Sequence, residues 1–293
     1  MKRWTRRQFI TNGVRAGVLL STGKGAYNAT RYNLRLETPL VTIPALPAQF
    51  KGFRIAQLTD LHASFIVSEG LLRSAADLVM QEKPDIICLT GDFVSGETKF
   101  LSGSIGGFNI KNLEKCIRAL EGLRAPMGIY GVLGNHDFWS GNEAVEAITK
   151  GFSQRLGVVW LRNKGHRLEK GGAGIHLLGV DDYWQDGSSV ANALKGVDTN
   201  GVRILLSHNP DINEQIESER HRIDLVISGH THGGQIALPL VGAPFMPSKF
   251  GQKYLAGLVR DDTRQTYISR GVGHLMAPIR LNAPPEATII TLV

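Results

Sequence analysis

From about Arg31 onward, short apolar runs alternate with longer stretches in which apolar residues recur at helical spacing. Phe53–Leu58 reads as a strand that ends in Asp60-Leu61-His62, and Leu71–Gln81 follows with a helical pattern. Asp85–Leu89 is a near-continuous apolar strand ending in Gly91-Asp92. A helix over Leu113–Leu120 leads to a strand at Gly128–Leu133, which ends in Gly134-Asn135-His136-Asp137. After a helix over Ala144–Arg155, the runs Val158–Leu161, Arg167–Glu169 and Gly174–Val180 leave no room for helices and predict antiparallel pairing. Val202–Leu206 then ends in Ser207-His208, and Asp224–Ile227 ends in Ser228-Gly229-His230-Thr231-His232. Further strands are expected near Tyr267 and over Ala287–Leu292. Strands buried on both faces, with helices outside and hairpins beside them, predict a layered α/β sandwich in a single domain. Pro39–Pro47 is too rich in proline for a central strand, and Ser102–Gly107 has the composition of a mobile loop.

The polar residues that end these runs carry the chemistry. Five strand ends bear Asp, His or Asn, and in open α/β sheets ligands gather beyond the carboxyl ends of the strands. Asp60 and His62 are two residues apart and so can face one side, a spacing that His230 and His232 repeat. Gly91, Gly134, Gly229, Gly233 and Gly234 fit tight turns and close backbone approach beside them. Oxygen and imidazole donors without sulfur favour Mn, Fe, Zn or Co, and several imidazoles argue against Mg and Ca.

The order Asp60-x-His62, Gly91-Asp92, Gly134-Asn135-His136-Asp137, His208, Gly229-His230-x-His232 resembles the calcineurin-like metallophosphoesterase superfamily, with all five motifs in sequence. The likeness runs from about Leu34 to the C-terminus. The fuller forms Gly-Asn-His-Asp-Phe-Trp and Gly-His-Thr-His-Gly-Gly-Gln are similar to a bacterial branch of exported or membrane-linked phosphodiesterases. The resemblance implies a metallophosphoesterase domain over residues 30–293, an α/β fold built as a layered α/β/β/α sandwich of mixed sheets flanked by helices, that hydrolyses a phosphodiester or phosphomonoester, lipid or nucleotide-like, with water activated by two divalent ions, Mn favoured. It implies that Asp60, His62 and His232 hold the first ion, that Asn135, His208 and His230 hold the second, and that Asp92 bridges them. His136 becomes the candidate general acid or oxyanion stabiliser, with Asp137 orienting it. Arg270 and Arg280, in a glycine- and proline-rich tail, are candidates for gripping a phosphate bidentately.

Other residues leave alternatives open. Five of the nine histidines belong to the motif set, while His166, His176, His221 and His274 have no motif around them. Asp181-Asp182-Tyr183-Trp184 suits an acidic turn, a substrate rim or support behind the ligands, and Phe138 and Trp139 suit the core or an apolar wall of the site. Two cysteines, Cys88 and Cys116, make no disulfide framework and fit the core.

Charge separates the front of the chain from the rest. The net charge is +7, and Lys2, Arg3, Arg6, Arg7, Arg15 and Lys24 supply six of it without any acid before residue 30. A remainder near +1 does not support a basic nucleic-acid face, so no nucleic-acid partner is expected. Residues 1–29 join this basic start to a moderately apolar stretch at Val14–Leu20, as a targeting segment does. Thr5-Arg6-Arg7-Gln8-Phe9-Ile10 resembles the twin-arginine signal, which implies recognition by the twin-arginine export machinery and transport of the folded protein. The expected location is the periplasm or the outer face of the cytoplasmic membrane, with the leader cleaved or kept as an anchor at the membrane surface.

Overall fold

The computed structural model describes residues 33–95, 98–100, 103–105, 108–238, 241–275 and 278–293. The export signal expected over residues 1–29 lies outside the described residues, as does part of the Ser102–Gly107 loop. Gly103–Ile105 (β6) of that loop pairs with Thr98–Phe100 (β5) as an antiparallel hairpin.

Two mixed sheets stack face to face. In the first, β1 (Arg35–Glu37), β15 (Glu286–Leu292), β3 (Arg54–Leu58), β4 (Ile86–Thr90), β7 (Ile129–Val132) and β8 (Val159–Trp160) lie side by side, and β2 (Leu40–Val41) joins β15. The second runs β13 (Gly257–Arg260), β14 (Gln265–Ile268), β12 (Leu225–Ser228), β11 (Arg203–Leu206), β10 (Ala173–Gly179), β9 (Lys164–Lys170). Each has a parallel centre: β3, β4, β7 and β8 in one, and β10, β11, β12 and β14 in the other. The expected antiparallel pair is β9 with β10. β8 was expected in the same hairpin set and instead runs parallel to β7 in the other sheet. The long helix between β7 and β8 explains this, because it forms a crossover that returns the chain in the same direction. The proline-rich stretch supplies only β2, which pairs with one neighbour, as its missing donors require.

Period-two alternation divides the apolar residues between layers. Ile55, Ile86, Cys88 and Val132 face Ile175, Leu177, Ile204 and Ile227 between the sheets. Ala56, Leu58, Ile87 and Leu89 point the other way, onto α1 (Glu69–Gln81), α2 (Ile110–Leu120) and α4 (Asn142–Leu156). On the far side, Leu178, Leu205 and Val226 pack on α5 (Val190–Ala193) and α6 (Ile212–Ser218). The result is the layered α/β/β/α arrangement.

The helices start where their chemistry directs. Ser68 accepts a hydrogen bond from the Leu71 N–H at the head of α1, Asn109 does the same for Lys111 at α2, and Gly157 ends α4 in the left-handed region. Leu71, Leu72, Ala75, Ala76 and Val79 form the buried stripe of α1. Cys88 and Cys116 are both free and buried, and burial pushes their thiols up. Strand β13 and the short helices α3 (Asn135–Trp139), α5 and α6 were not expected from the pattern; each is too short or too exposed to show a period. No helix among the described residues is long and apolar enough to cross a membrane.

Candidate metal centre

The loops beyond the carboxyl ends of β3, β4, β7, β11 and β12 converge at one edge of the two sheets. β3 delivers Asp60 and His62, β4 delivers Asp92, and β7 runs into α3, whose first residue is Asn135. From the second sheet, β11 delivers His208 and β12 delivers His230 and His232. All seven side chains are buried. Five of them, Asp60, His62, Asp92, His230 and His232, have φ between 43° and 72°, a region in which a residue with a Cβ is strained. Strain of this kind, of order 1–3 kcal/mol per residue, persists only where surrounding structure enforces it and gathers at functional sites. The glycines permit the approach: a Cβ at Gly134 would collide with the Asp92 carboxylate, and one at Gly229 with that of Asp60.

Donor atoms face one another at short range. Nε2 of His62 and of His232 lie 3.0 Å apart, and the Asp60 carboxylate is 3.3 Å from His232. The Asp92 carboxylate stands between two groups, 3.4 Å from His62 and 3.2 Å from His208. Nε2 of His208 is also 3.1 Å from Asn135 Oδ1 and 3.2 Å from His230 Nδ1.

The tautomers test whether a cation fits. His208 Nδ1 contacts the Thr90 carbonyl at 2.8 Å and His230 Nε2 contacts the Pro247 carbonyl at 2.8 Å. A carbonyl oxygen only accepts, so those nitrogens carry the protons and donate. In the neutral rings, His208 Nε2 and His230 Nδ1 are then bare lone pairs, directed at each other and at two further acceptors with no hydrogen among them. Such an arrangement demands positive charge. Without metal, a proton supplies it: burial opposes charging His208, yet Asp92, Asp60 and Asp182 together hold its pKa well above the ordinary value. Burial raises Asp92 too, but His208 and His136 outweigh it and hold its carboxyl well below the usual range. Burial pushes Asp60 up to about 6, His230 down to about 3, and His62 and His232 well below the usual imidazole value, so these rings are neutral. Ligand atoms of Asp60, His62 and His232 lie within 4.8 Å of one another, as do those of Asp60, Asp92 and His208, and the residues present fit two cations.

The other expected site residues divide. His136 lies against His62, edge to face with centroids 4.9 Å apart, and its Nδ1 is buried without a hydrogen-bond partner. Asp137 does not orient it. Its carboxylate accepts from the backbone N–H groups of Asp92, Phe93 and Gly134, each at 2.9 Å, so it ties the β4 loop to the β7 loop. The two arginines are likewise committed elsewhere, because buried guanidinium groups must spend their donors on nearby acceptors. Arg280 is 1% exposed and donates to the carbonyls of Gly273, Arg270, Gly271 and Ala283, with Nη2 3.1 Å from His232 Nδ1. Arg270 pairs with Glu37 at 2.5 Å and Glu286 at 3.0 Å. Neither is free to grip a phosphate; Arg280 instead sets the ring of a candidate ligand.

Beside the centre, Asp181 pairs with Arg162 at the surface, whereas Asp182 is buried and accepts from the Trp184 N–H at 2.9 Å. Trp184 stands edge-on to His230 at 4.5 Å, and Trp139 stacks on Trp184 at 5.8 Å. Of this turn, Trp184 is the residue whose ring reaches a candidate ligand. Phe138 is packed against the helical core cluster while Trp139 is exposed, so the two neighbours take different roles. Pattern alone offered no sign of Arg280 as a support or of the loop that carries Pro247.

Comparison with known proteins agrees with this construction. Residues 53–234 match the model of the calcineurin-like phosphoesterase family. The chain is 31% identical to YkuE of Bacillus subtilis, described as an uncharacterised metallophosphoesterase, over 100% of this chain and 99% of that one. It is 35% identical to the Escherichia coli phosphodiesterase YaeI, over 82% of each chain. A crystal structure of a dimetal phosphatase from Danio rerio aligns with a TM-score of 0.50 at 12% identity, covering 82% of this chain and 99% of that one, a likeness of fold. The chain belongs to the calcineurin-like phosphoesterase family.

Proposed function

We propose that this protein cleaves a phosphodiester on the outer side of the cytoplasmic membrane, after export in the folded state through the twin-arginine route, with Mn as the favoured metal. The broader activity is that of its family: a metal-dependent phosphoric ester hydrolase using two divalent ions. The observation that carries the reading is the proton-free meeting of His208 Nε2, His230 Nδ1, Asn135 Oδ1 and Asp92, which only a cation or an added proton satisfies.

In this reading Asp60, His62 and His232 hold the first ion, Asn135, His208 and His230 the second, and Asp92 stands between both. Bound there, such a pair supplies Lewis acidity toward phosphoryl oxygens and a water ionised near neutral pH. The chain's own residues do the rest. His208 and His230 are held in one tautomer by the Thr90 and Pro247 carbonyls, so their ligating lone pairs stay fixed in direction. His136 keeps Nδ1 uncommitted beside His62, and it serves the leaving oxygen as acid or as a hydrogen-bond donor. Support for a diester comes from the 35% identity to a protein described as a phosphodiesterase.

The test is hydrolysis of a chromogenic phosphodiester and its monoester counterpart by metal-stripped protein reloaded with Mn, Zn, Fe or Mg. Turnover restored by Mn with preference for the diester is expected; no turnover with any metal on either ester would overturn the reading. Export is read separately: replacing Arg6 and Arg7 by Lys should keep the protein in the cytoplasm, and unchanged export refutes that part.

A further inference from the structure

Eleven large hydrophobic side chains are exposed among the described residues, and seven of them sit on segments that leave the candidate metal ligands. Ile236, Leu238, Val241, Phe245 and Phe250 follow His232 within eighteen residues, with Val241 63% and Phe245 84% exposed. Phe65, 87% exposed, follows His62, and Trp139, 47% exposed, ends the helix that begins at Asn135. Scattered exposure of apolar residues needs no explanation, but their gathering on the segments next to the candidate ligands does.

These segments are held so that the apolar groups point outward. Lys115 Nζ donates to the carbonyls of Ser64 and Val67 at 2.5 and 2.8 Å, fixing the turn that displays Phe65. The loop bearing Phe245 is pinned by His230 at the Pro247 carbonyl and by Asp211, whose carboxylate accepts from Ser248 Oγ at 2.7 Å and from the Lys249 N–H at 3.2 Å. Trp139, Trp184 and His230 form a continuous aromatic series from solvent to the metal centre.

Charge says what covers this surface. The sequence has 26 acidic residues in 293, yet none between Asp224 and Asp261, a gap of 36 residues. Within it Lys249 is exposed and makes no ion pair among the described residues. Apolar and aromatic tips beside an unpaired cation, on a segment that carries no acidic residue of its own, complement the interfacial layer of an anionic bilayer.

We infer that Ile236, Leu238, Val241, Phe245 and Phe250, with Phe65 and Trp139, dock on an anionic phospholipid bilayer and bring the metal centre to the headgroup layer. The inference deepens the proposed phosphodiesterase reading and rests on it only for what happens after docking.

The test uses the full chain with chelator present, so that binding is read without turnover. It is sedimented with vesicles of phosphatidylcholine and phosphatidylglycerol at about 7:3. The wild type should pellet with these vesicles and several times less with pure phosphatidylcholine. The Val241→Ser/Phe245→Ser double variant should partition at least about tenfold less, and Phe65→Ser about threefold less. The basic front segment is common to all, so it cannot produce these differences. Thermal melts matching wild type show that the variants are folded. Equal pelleting of wild type and double variant, or no pelleting of wild type, overturns the inference. A dimer that the double variant dissociates, without vesicle binding, assigns the surface to a second copy and also overturns it. Hydrolysis of a soluble chromogenic ester, run in parallel on reloaded wild type, bears on the phosphodiesterase reading alone.

Discussion

The two sheets share one plan, a parallel centre with antiparallel partners, but they bring different chemistry to the common edge. The first contributes the oxygen donors Asp60, Asp92 and Asn135 with one imidazole, His62; the second contributes only imidazoles, His208, His230 and His232. Each half of the centre mixes donors from both sheets: Asp60 and His62 meet His232, and Asp92 and Asn135 meet His208 and His230. Each donor cluster draws on both sheets. Bound cations would therefore also link the two layers, at the edge of the sandwich rather than in its apolar middle.

The sharpest way to break this comparison is at Asp92, the carboxylate that stands between both halves. Asp92→Ala should lower turnover at least about a thousandfold while the protein stays folded. Metal analysis should show the loss of more than one ion per chain, whereas His230→Ala should lose about one. Full activity in either variant would refute the two-site division.

Chelation tests the bond between layers directly. A ligand at about a thousand times its Kd stabilises a fold by about 4 kcal/mol, so removal of both ions should lower Tm by roughly 10 °C. An unchanged melt would mean that the sheets do not rely on the centre.

Arg280→Met comes next. It leaves buried carbonyls without donors and removes the guanidinium that donates to His232 Nδ1, so a stability loss of about 3 kcal/mol and a shift in metal affinity are expected. A role in gripping substrate would instead raise KM with metal affinity unchanged, which separates the two. The smallest effect is at the rim. Trp139→Ala should change kcat/KM for a small soluble ester by less than about tenfold, since its ring is exposed and touches His136 and Trp184 rather than a ligand. A hundredfold loss would place it at the reacting groups.

Much of this is legible in the sequence. The strands ending at Leu58, Thr90, Val132, Leu206 and Ser228 follow apolar runs, and the residues just beyond them could be read off as donors because strand ends in α/β sheets share an edge. The helices α1, α2 and α4 carry a clear 3.6-residue period and recognisable caps. What failed did so for identifiable reasons. β8 has only two residues, too few to reveal its sheet, and its partner was decided by the helix before it. Arg270 and Arg280 look alike in sequence, yet one meets two glutamates and the other a ring of carbonyls; a pattern of residue types does not record which acceptors the tail finds. The same holds for Asp137, whose position beside His136 suggested a partner it does not touch and concealed its backbone bonds to residues 44 and 45 positions away.

The sequence by itself determined the longer elements, the candidate donors and the family, because these depend on local period, residue chemistry and spacing. Only the tertiary structure decided which donors meet and which nitrogen of His208 and His230 is left bare. It also decided that Arg280 contacts a candidate ligand and that Trp139 and Trp184 lead from solvent to His230. Those outcomes are set by contacts between residues far apart in the chain, where the hydrogen-bond needs of each buried polar group must be satisfied by whatever the fold places beside it.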